Sequence, residues 1–102
     1  MTDFTIFYTD DDEDDLSIFT DAVESLSKKI QLQTYSGGEK LLNAIYNPPP
    51  TPHVVFLDLN MPGKDGRETL KEIKEHPNYK KFHIIRFLTI YLIIKRVHQI
   101  LS

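Results

Sequence analysis

The chain has 102 residues, of which 40% are hydrophobic, and its 12 Lys and Arg against 15 Asp and Glu give a formal net charge of -3. This length predicts one small domain over residues 1–102, and the absence of cysteine excludes disulfides, thiolate metal ligands and a cysteine nucleophile. No chain-wide positive charge, basic signal segment or membrane-length apolar stretch is present, so we expect a cytoplasmic protein with neither nucleic acid nor membrane as a partner.

The first predicted element is a strand from Phe4 to Thr9, which ends directly in the acidic run from Asp10 to Asp15. Apolar residues then recur at helical spacing and predict an amphipathic helix whose acidic first turn suits the helix dipole: Leu16, Phe19, Val23 and Leu26. The chain therefore begins with a strand, an acidic loop and a helix.

A second strand and a second helix are predicted next. Ile30, Leu32 and Thr34 alternate with other residues, as expected for a half-covered strand. Ser36 and Glu39 have the spacing of a capping box, which predicts the start of a second helix. The proline-rich stretch 47–52 can form neither a helix nor a central strand, so it is expected to be a stiff connector.

The third strand, Val54 to Leu57, is a continuous apolar run that ends at Asp58, and its lack of alternation predicts burial on both faces. A third helix containing Leu70 and Ile73 is expected to stop before Pro77, and Phe82 to Phe87 predicts a fourth strand. Strict alternation of strands and helices favours an open, doubly wound parallel α/β sheet with helices on both faces.

The negative charge is concentrated in the first part of the chain. Residues 1–58 hold eight Asp, three Glu and three Lys, whereas residues 59–102 carry a net positive charge. An acidic run is often only a solvated loop. If strands one and three are neighbours, however, Asp10, Asp11 and Asp58 converge at one sheet edge, where oxygen ligands would favour Mg²⁺ or Mn²⁺ over zinc.

Two motifs, YTDDDEDD from Tyr8 to Asp15 and VVFLDLNMPGKDG from Val54 to Gly66, resemble those of response-regulator receiver domains of two-component signalling. The resemblance implies a flavodoxin-like receiver fold, here with four strands in the order 2-1-3-4. It also implies phosphoryl transfer to Asp58 from a histidine kinase or phosphotransfer protein, and relay to an unknown downstream protein. The metal ligands implied for Mg²⁺, with Mn²⁺ as a substitute, are Asp10, Asp11, Asp58 and the backbone carbonyl of Asn60.

The segment 84–102 departs from the receiver pattern. The Ser or Thr that receivers carry after strand four falls on Leu88, so the neighbouring Thr89 is only a candidate switch residue, and the lysine expected after a fifth strand is absent. Residues 90–101 instead predict a terminal amphipathic helix. This segment is expected to cover the edge of strand four or to form a homodimer through residues 84–102, unless the chain is a truncated or frameshifted receiver.

Two functions are compatible with this sequence. The first is a phosphoryl-accepting receiver in a phosphorelay, with no enzymatic activity beyond its own phosphorylation and dephosphorylation. The alternative is a degenerate receiver that acts as a phosphorylation-independent protein-interaction module, because the expected lysine is missing.

Overall fold

A computed structural model describes residues 4–26, 29–61, 66–81 and 83–87. Strands and helices alternate along the chain as β1 (Phe4–Thr9), α1 (Glu13–Leu26), β2 (Ile30–Tyr35), α2 (Gly38–Tyr46), β3 (Val54–Asp58), α3 (Gly66–Lys74) and β4 (His83–Phe87), with a short 3-10 turn at Tyr79–Lys81. The alternation predicted from apolar periodicity is therefore confirmed. Leu88, Thr89 and the predicted terminal helix lie outside the described residues.

The four strands form one parallel sheet in the order β2-β1-β3-β4, as predicted. In this register Thr9, the last residue of β1, is aligned with Leu57 of β3 on one side and with Tyr35 of β2 on the other. Because neighbouring parallel strands end at the same edge of the sheet, the residues that follow β1 and β3 are brought together.

Both faces of the sheet are covered, which explains why β3 is buried along its whole length. On one face Tyr8 and Phe56 pack with Phe19 and Val23 of α1. On the other face Phe7 and Val55 belong to a second apolar cluster with residues of α2 and α3, namely Leu41, Leu42, Ile45 and Ile73. A central parallel strand thus needs apolar side chains at successive positions, not only at alternate ones.

The acidic run supplies the beginning of α1. The Oδ1 atom of Asp12 accepts hydrogen bonds from the backbone N–H groups of Asp14 at 2.8 Å and Asp15 at 3.2 Å. This is N-capping, in which a side-chain oxygen satisfies amides that have no partner within the helix. Part of the acidity that the sequence concentrates here is therefore structural.

The predicted capping box at Ser36 is wrong. The N-cap of α2 is Gly37, whose backbone is extended, and no side chain caps this helix. Ser36 lies one residue too early, and its hydroxyl accepts a hydrogen bond from the ammonium of Lys40 at 2.9 Å instead. The spacing from Ser36 to Glu39 matches the motif, but the helix begins one residue later than the motif predicts.

The third helix starts earlier than its apolar stripe indicated, because α3 begins at Gly66, ahead of Leu70.

Among the described residues, none of the helices is both long enough and apolar enough to cross a bilayer.

Candidate functional site

Three carboxylates meet at the carboxyl-terminal edge of the sheet. One oxygen from each of Asp10, Asp11 and Asp58 lies within 4.8 Å of the other two. Asp10 directly follows β1, and Asp58 is the last residue of β3. Asp10 and Asp58 are buried, whereas Asp11 is exposed. The structure therefore brings together the carboxylates that the sequence analysis expected to converge.

Asp10 is held by three hydrogen bonds. Its Oδ1 accepts from the backbone N–H of Asp12 at 3.0 Å, and its Oδ2 accepts from the hydroxyl of Tyr8 at 2.9 Å. Its own backbone N–H donates to the carbonyl oxygen of Tyr35 at the end of β2, also at 3.0 Å. These bonds determine the orientation of the carboxylate before any ligand binds.

Asp58 is positioned by the backbone that follows it. Its Oδ1 accepts a hydrogen bond from the N–H of Asn60 at 2.8 Å. The N–H of Leu59 donates to the carbonyl oxygen of Phe87 at 2.8 Å, which joins the end of β3 to the end of β4. Asp58 therefore stands at the point where two strands and the following loop are linked.

Gly66 packs against this same backbone. A Cβ atom built on Gly66 would overlap the carbonyl group of Asp58 and the Cα of Leu59. Glycine is needed at position 66 because the first turn of α3 lies so close to the end of β3 that no residue with a Cβ atom fits. This close approach places α3 directly beside the carboxylate cluster.

The cluster is electrostatically unfavourable when it is fully ionised. Burial, with the nearby charge of Asp58 adding to it, raises the pKa of Asp10 to about 6, although the hydrogen bonds from Asp12 and Tyr8 oppose the rise. Burial likewise raises the pKa of Asp58, and burial together with the charge of Asp10 raises that of Asp15. Buried carboxylates at this separation become stable as ions when a cation lies between them.

The cluster fits a hard divalent cation. Its ligand atoms are carboxylate oxygens, which Mg²⁺ and Mn²⁺ prefer, and one or two carboxylates suffice for Mg²⁺ because this ion keeps several waters. The exposed Asp11 leaves one side of the group accessible to solvent. The backbone N–H of Asn60 donates a hydrogen bond to Asp58 and so places Asn60 beside the cluster. The role of the Asn60 carbonyl as a metal ligand stays a prediction. The candidate switch residue Thr89 is outside the described residues.

The sequence analysis missed Tyr8. Its ring is fully buried and stacks on Phe19, with centroids 4.0 Å apart and an angle of 9°, and on Phe87 at 5.6 Å. Burial, with the hydrogen bond to Asp10 adding to it, raises the pKa of the Tyr8 phenol far above its ordinary value, so the hydroxyl remains a neutral donor. Strand alternation contained the signal, since Tyr8 and Asp10 are two residues apart and share a face.

Comparison with known proteins identifies the family. The sequence-family model of the response regulator receiver domain matches residues 6–101 of this chain. The response regulator Rcp1 of Synechocystis sp. (strain ATCC 27184 / PCC 6803 / Kazusa) is 46% identical over 44 residues, which make up 43% of this chain and 30% of Rcp1. The matched segment therefore spans less than a third of that relative.

Solved structures agree with the sequence match. The Mn²⁺-bound form of response regulator Rcp1 superposes with a TM-score of 0.73 at 26% identity, covering 81% of this chain and 63% of that one. The N-terminal domain of a response regulator receiver protein from Methanoculleus marisnigri JR1 gives 0.71 at 30% identity, covering 81% and 64%. Fold, motif positions and family match together show that this chain belongs to the response regulator receiver domain family.

Proposed function

We propose that this chain is a cytoplasmic receiver that accepts a phosphoryl group on Asp58 from a histidine kinase or phosphotransfer protein. In this proposal Asp10, Asp11 and Asp58, together with the carbonyl of Asn60, hold Mg²⁺, for which Mn²⁺ can substitute. The observation that carries the proposal is the approach of three carboxylate oxygens to within 4.8 Å of one another at the ends of β1 and β3. Membership of the receiver family supports the same reading.

Asp58 has the chemistry of a phosphoryl acceptor. An ionised carboxylate oxygen attacks phosphorus while the bond from phosphorus to the donor nitrogen breaks, and the released imidazole takes up a proton. The product is an acyl phosphate that water can later hydrolyse. The hydrogen bond from the N–H of Asn60 to Oδ1 of Asp58 holds the carboxylate in one plane, which favours in-line attack.

A divalent cation at this site would neutralise the charge that spreads over the phosphoryl oxygens. Residues around Asp10 orient its carboxylate for such a cation. Tyr8 and the backbone of Asp12 hold Asp10 in position, and burial raises the pKa of Asp10 to about 6 while no cation is bound. The presence of Mn²⁺ in the Rcp1 structure supports a divalent ion by analogy.

A small phosphodonor tests the proposal directly. We expect incubation with acetyl phosphate and Mg²⁺ to add one phosphoryl group to the intact protein, as measured by mass spectrometry. The adduct should be absent in Asp58→Asn and should be retained in the control Asp21→Asn, because Asp21 is an exposed residue of α1. Omission of the metal or addition of a chelator should greatly slow the reaction.

The same experiment separates the two functions considered for this family member. A folded wild-type protein that binds Mg²⁺ but takes up no phosphoryl group would contradict phosphoryl acceptance. It would favour a phosphorylation-independent interaction module, in agreement with the leucine at position 88. A phosphoryl adduct that persists in Asp58→Asn would instead exclude Asp58 as the acceptor.

A homodimer through residues 84–102 stays a prediction. Light scattering over a range of protein concentrations tests it, and a monomeric mass at high concentration would contradict it.

A further inference from the structure

A cavity of about 530 Å³ lies at the other end of the sheet from the carboxylate cluster. Its lining includes Thr5 and Gln31, which are aligned with each other near the amino-terminal ends of β1 and β2. Its volume is in the range of small-molecule sites, about 300 to 1,000 Å³. The cavity is therefore large enough for a ligand and separate from the proposed phosphorylation site.

His53 lines one side of the cavity, and its imidazole is held in a fixed orientation. The Nδ1 atom of His53 accepts a hydrogen bond from the backbone N–H of Thr5 at 3.0 Å, and the N–H of His53 donates to the carbonyl oxygen of Thr5 at 2.9 Å. The imidazole also stacks on Phe4, with centroids 5.0 Å apart at 16°. Because Nδ1 is an acceptor, the proton of the neutral imidazole resides on Nε2, and this nitrogen can donate a hydrogen bond.

The other described residues that line the cavity include a cationic side chain, polar side chains and a wall of prolines. Lys81 is a cationic residue of the lining, and none of the described residues that line the cavity carries a carboxylate. Pro49, Pro50 and Pro52 supply rigid apolar surface that loses little conformational entropy when a ligand binds. A cation and an imidazole N–H beside such a wall favour a ligand that has a single negative charge and an apolar body.

We propose that this cavity binds a small aromatic carboxylate. The ring packs against the proline side chains, and the carboxylate is held by the ammonium of Lys81 and the Nε2–H of His53. A bare inorganic anion fits less well, because it leaves the proline surface exposed to water. The proposal does not depend on phosphorylation of Asp58, since the two sites lie at opposite ends of the sheet.

Amide chemical shifts of the full chain provide the test. We expect benzoate to cause saturable shifts of the Thr5 and Gln31 amides at about millimolar concentration, as befits a ligand of this size. Benzyl alcohol has the same ring without the charge and should bind roughly tenfold more weakly, as should benzoate in Lys81→Gln. Lys80→Gln is the matched control, because the exposed Lys80 is adjacent but does not line the cavity, and its affinity should be unchanged.

Three results would overturn the proposal. They are shifts that do not saturate, equal benzoate affinity in Lys81→Gln and the wild type, or inorganic phosphate binding as tightly as benzoate. A Mg²⁺ titration of the same sample reports on the amides around Asp10 and Asp58. Loss of one response with retention of the other therefore identifies which of the two sites has been assigned wrongly.

Discussion

The hydroxyl of Tyr8 donates a hydrogen bond of 2.9 Å to Oδ2 of Asp10, and both side chains are buried. The Tyr8 ring stacks with Phe19 of α1 and with Phe87 of β4 in the apolar core, so one side chain connects core packing to the carboxylate cluster. The orientation of Asp10 consequently depends on how α1 packs on the sheet and on where β4 places Phe87.

We expect Tyr8→Phe to weaken Mg²⁺ binding and to lower the free energy of unfolding by about 1 kcal/mol. The hydrogen bond from Tyr8 lowers the pKa of Asp10, so its loss should raise that pKa further. Mg²⁺ titrations at pH 6 and pH 8 should show a larger difference in affinity for the variant than for the wild type. Tyr46→Phe is the control, since Tyr46 is 52% exposed, and an equal effect of both changes would contradict this role of Tyr8.

The metal-free protein should become less stable as the pH rises from about 4 to about 7. The pKa of Asp10 is about 6 in the folded chain against an ordinary value of 3.8. Between these values the folded state binds more protons than the unfolded state, so stability falls as pH rises, by roughly 1 to 3 kcal/mol in total. Asp58 contributes in the same direction, because burial raises its pKa too.

Urea unfolding at several pH values, with a chelator and then with excess Mg²⁺, measures this effect. Mg²⁺ should restore stability at pH 7, where few protons compete with it, and should have little effect at pH 5. A metal-free stability that rises through this interval would contradict the raised pKa.

Asp10→Asn should stabilise the metal-free protein at pH 7 while removing most of the stabilisation by Mg²⁺. The amide carries no charge, so the repulsion with Asp58 is relieved, but a cation loses one of its carboxylate ligands. Asp21→Asn makes the same change at an exposed position of α1 and should affect neither quantity. Thermal unfolding with and without Mg²⁺ distinguishes these variants.

Gly66→Ala should destabilise the protein by about 1 to 3 kcal/mol and disturb the site. The added methyl group would overlap the backbone of Asp58 and Leu59, so α3 or the end of β3 must move. Gly37→Ala is the matched control, because a Cβ there meets no atom within 4 Å. It should cost less than about 1 kcal/mol, the usual effect at an N-cap. Reduced Mg²⁺ affinity in the first variant alone would show that the close approach positions Asp58.

Thr9→Val should stabilise the protein by about 1 kcal/mol. Thr9 is fully buried, and its Oγ1 has no hydrogen-bond partner among the described residues. Replacing the hydroxyl with a methyl group removes an unsatisfied polar atom at nearly constant volume. Thr69 is equally buried but has an interaction partner, so Thr69→Val should destabilise the protein instead. Denaturant unfolding of both variants provides the comparison, and a loss of stability in Thr9→Val would contradict the prediction.

Local pattern was sufficient for most of the fold. The uninterrupted apolar run from Val54 predicted a strand covered on both faces, and the strand is buried throughout. The capping box failed because a motif spacing does not determine where the backbone turns, and at α2 it turned at Gly37. Tyr8 was missed because its spacing is equally compatible with an ordinary core residue.

The sequence by itself determined the order and type of the elements and which acidic residues end the strands. Apolar periodicity and the prolines and glycines that end helices and strands are local properties of the chain. The sequence predicted that Asp10 lies beside Asp58 only on the condition that strands one and three are neighbours, and tertiary structure met that condition. Tertiary structure alone decided that Tyr8 bonds to Asp10 and that Gly66 approaches Asp58. These relationships join residues far apart in the chain or depend on packing, so they arise only when β1 pairs with β3 and the helices pack on the sheet.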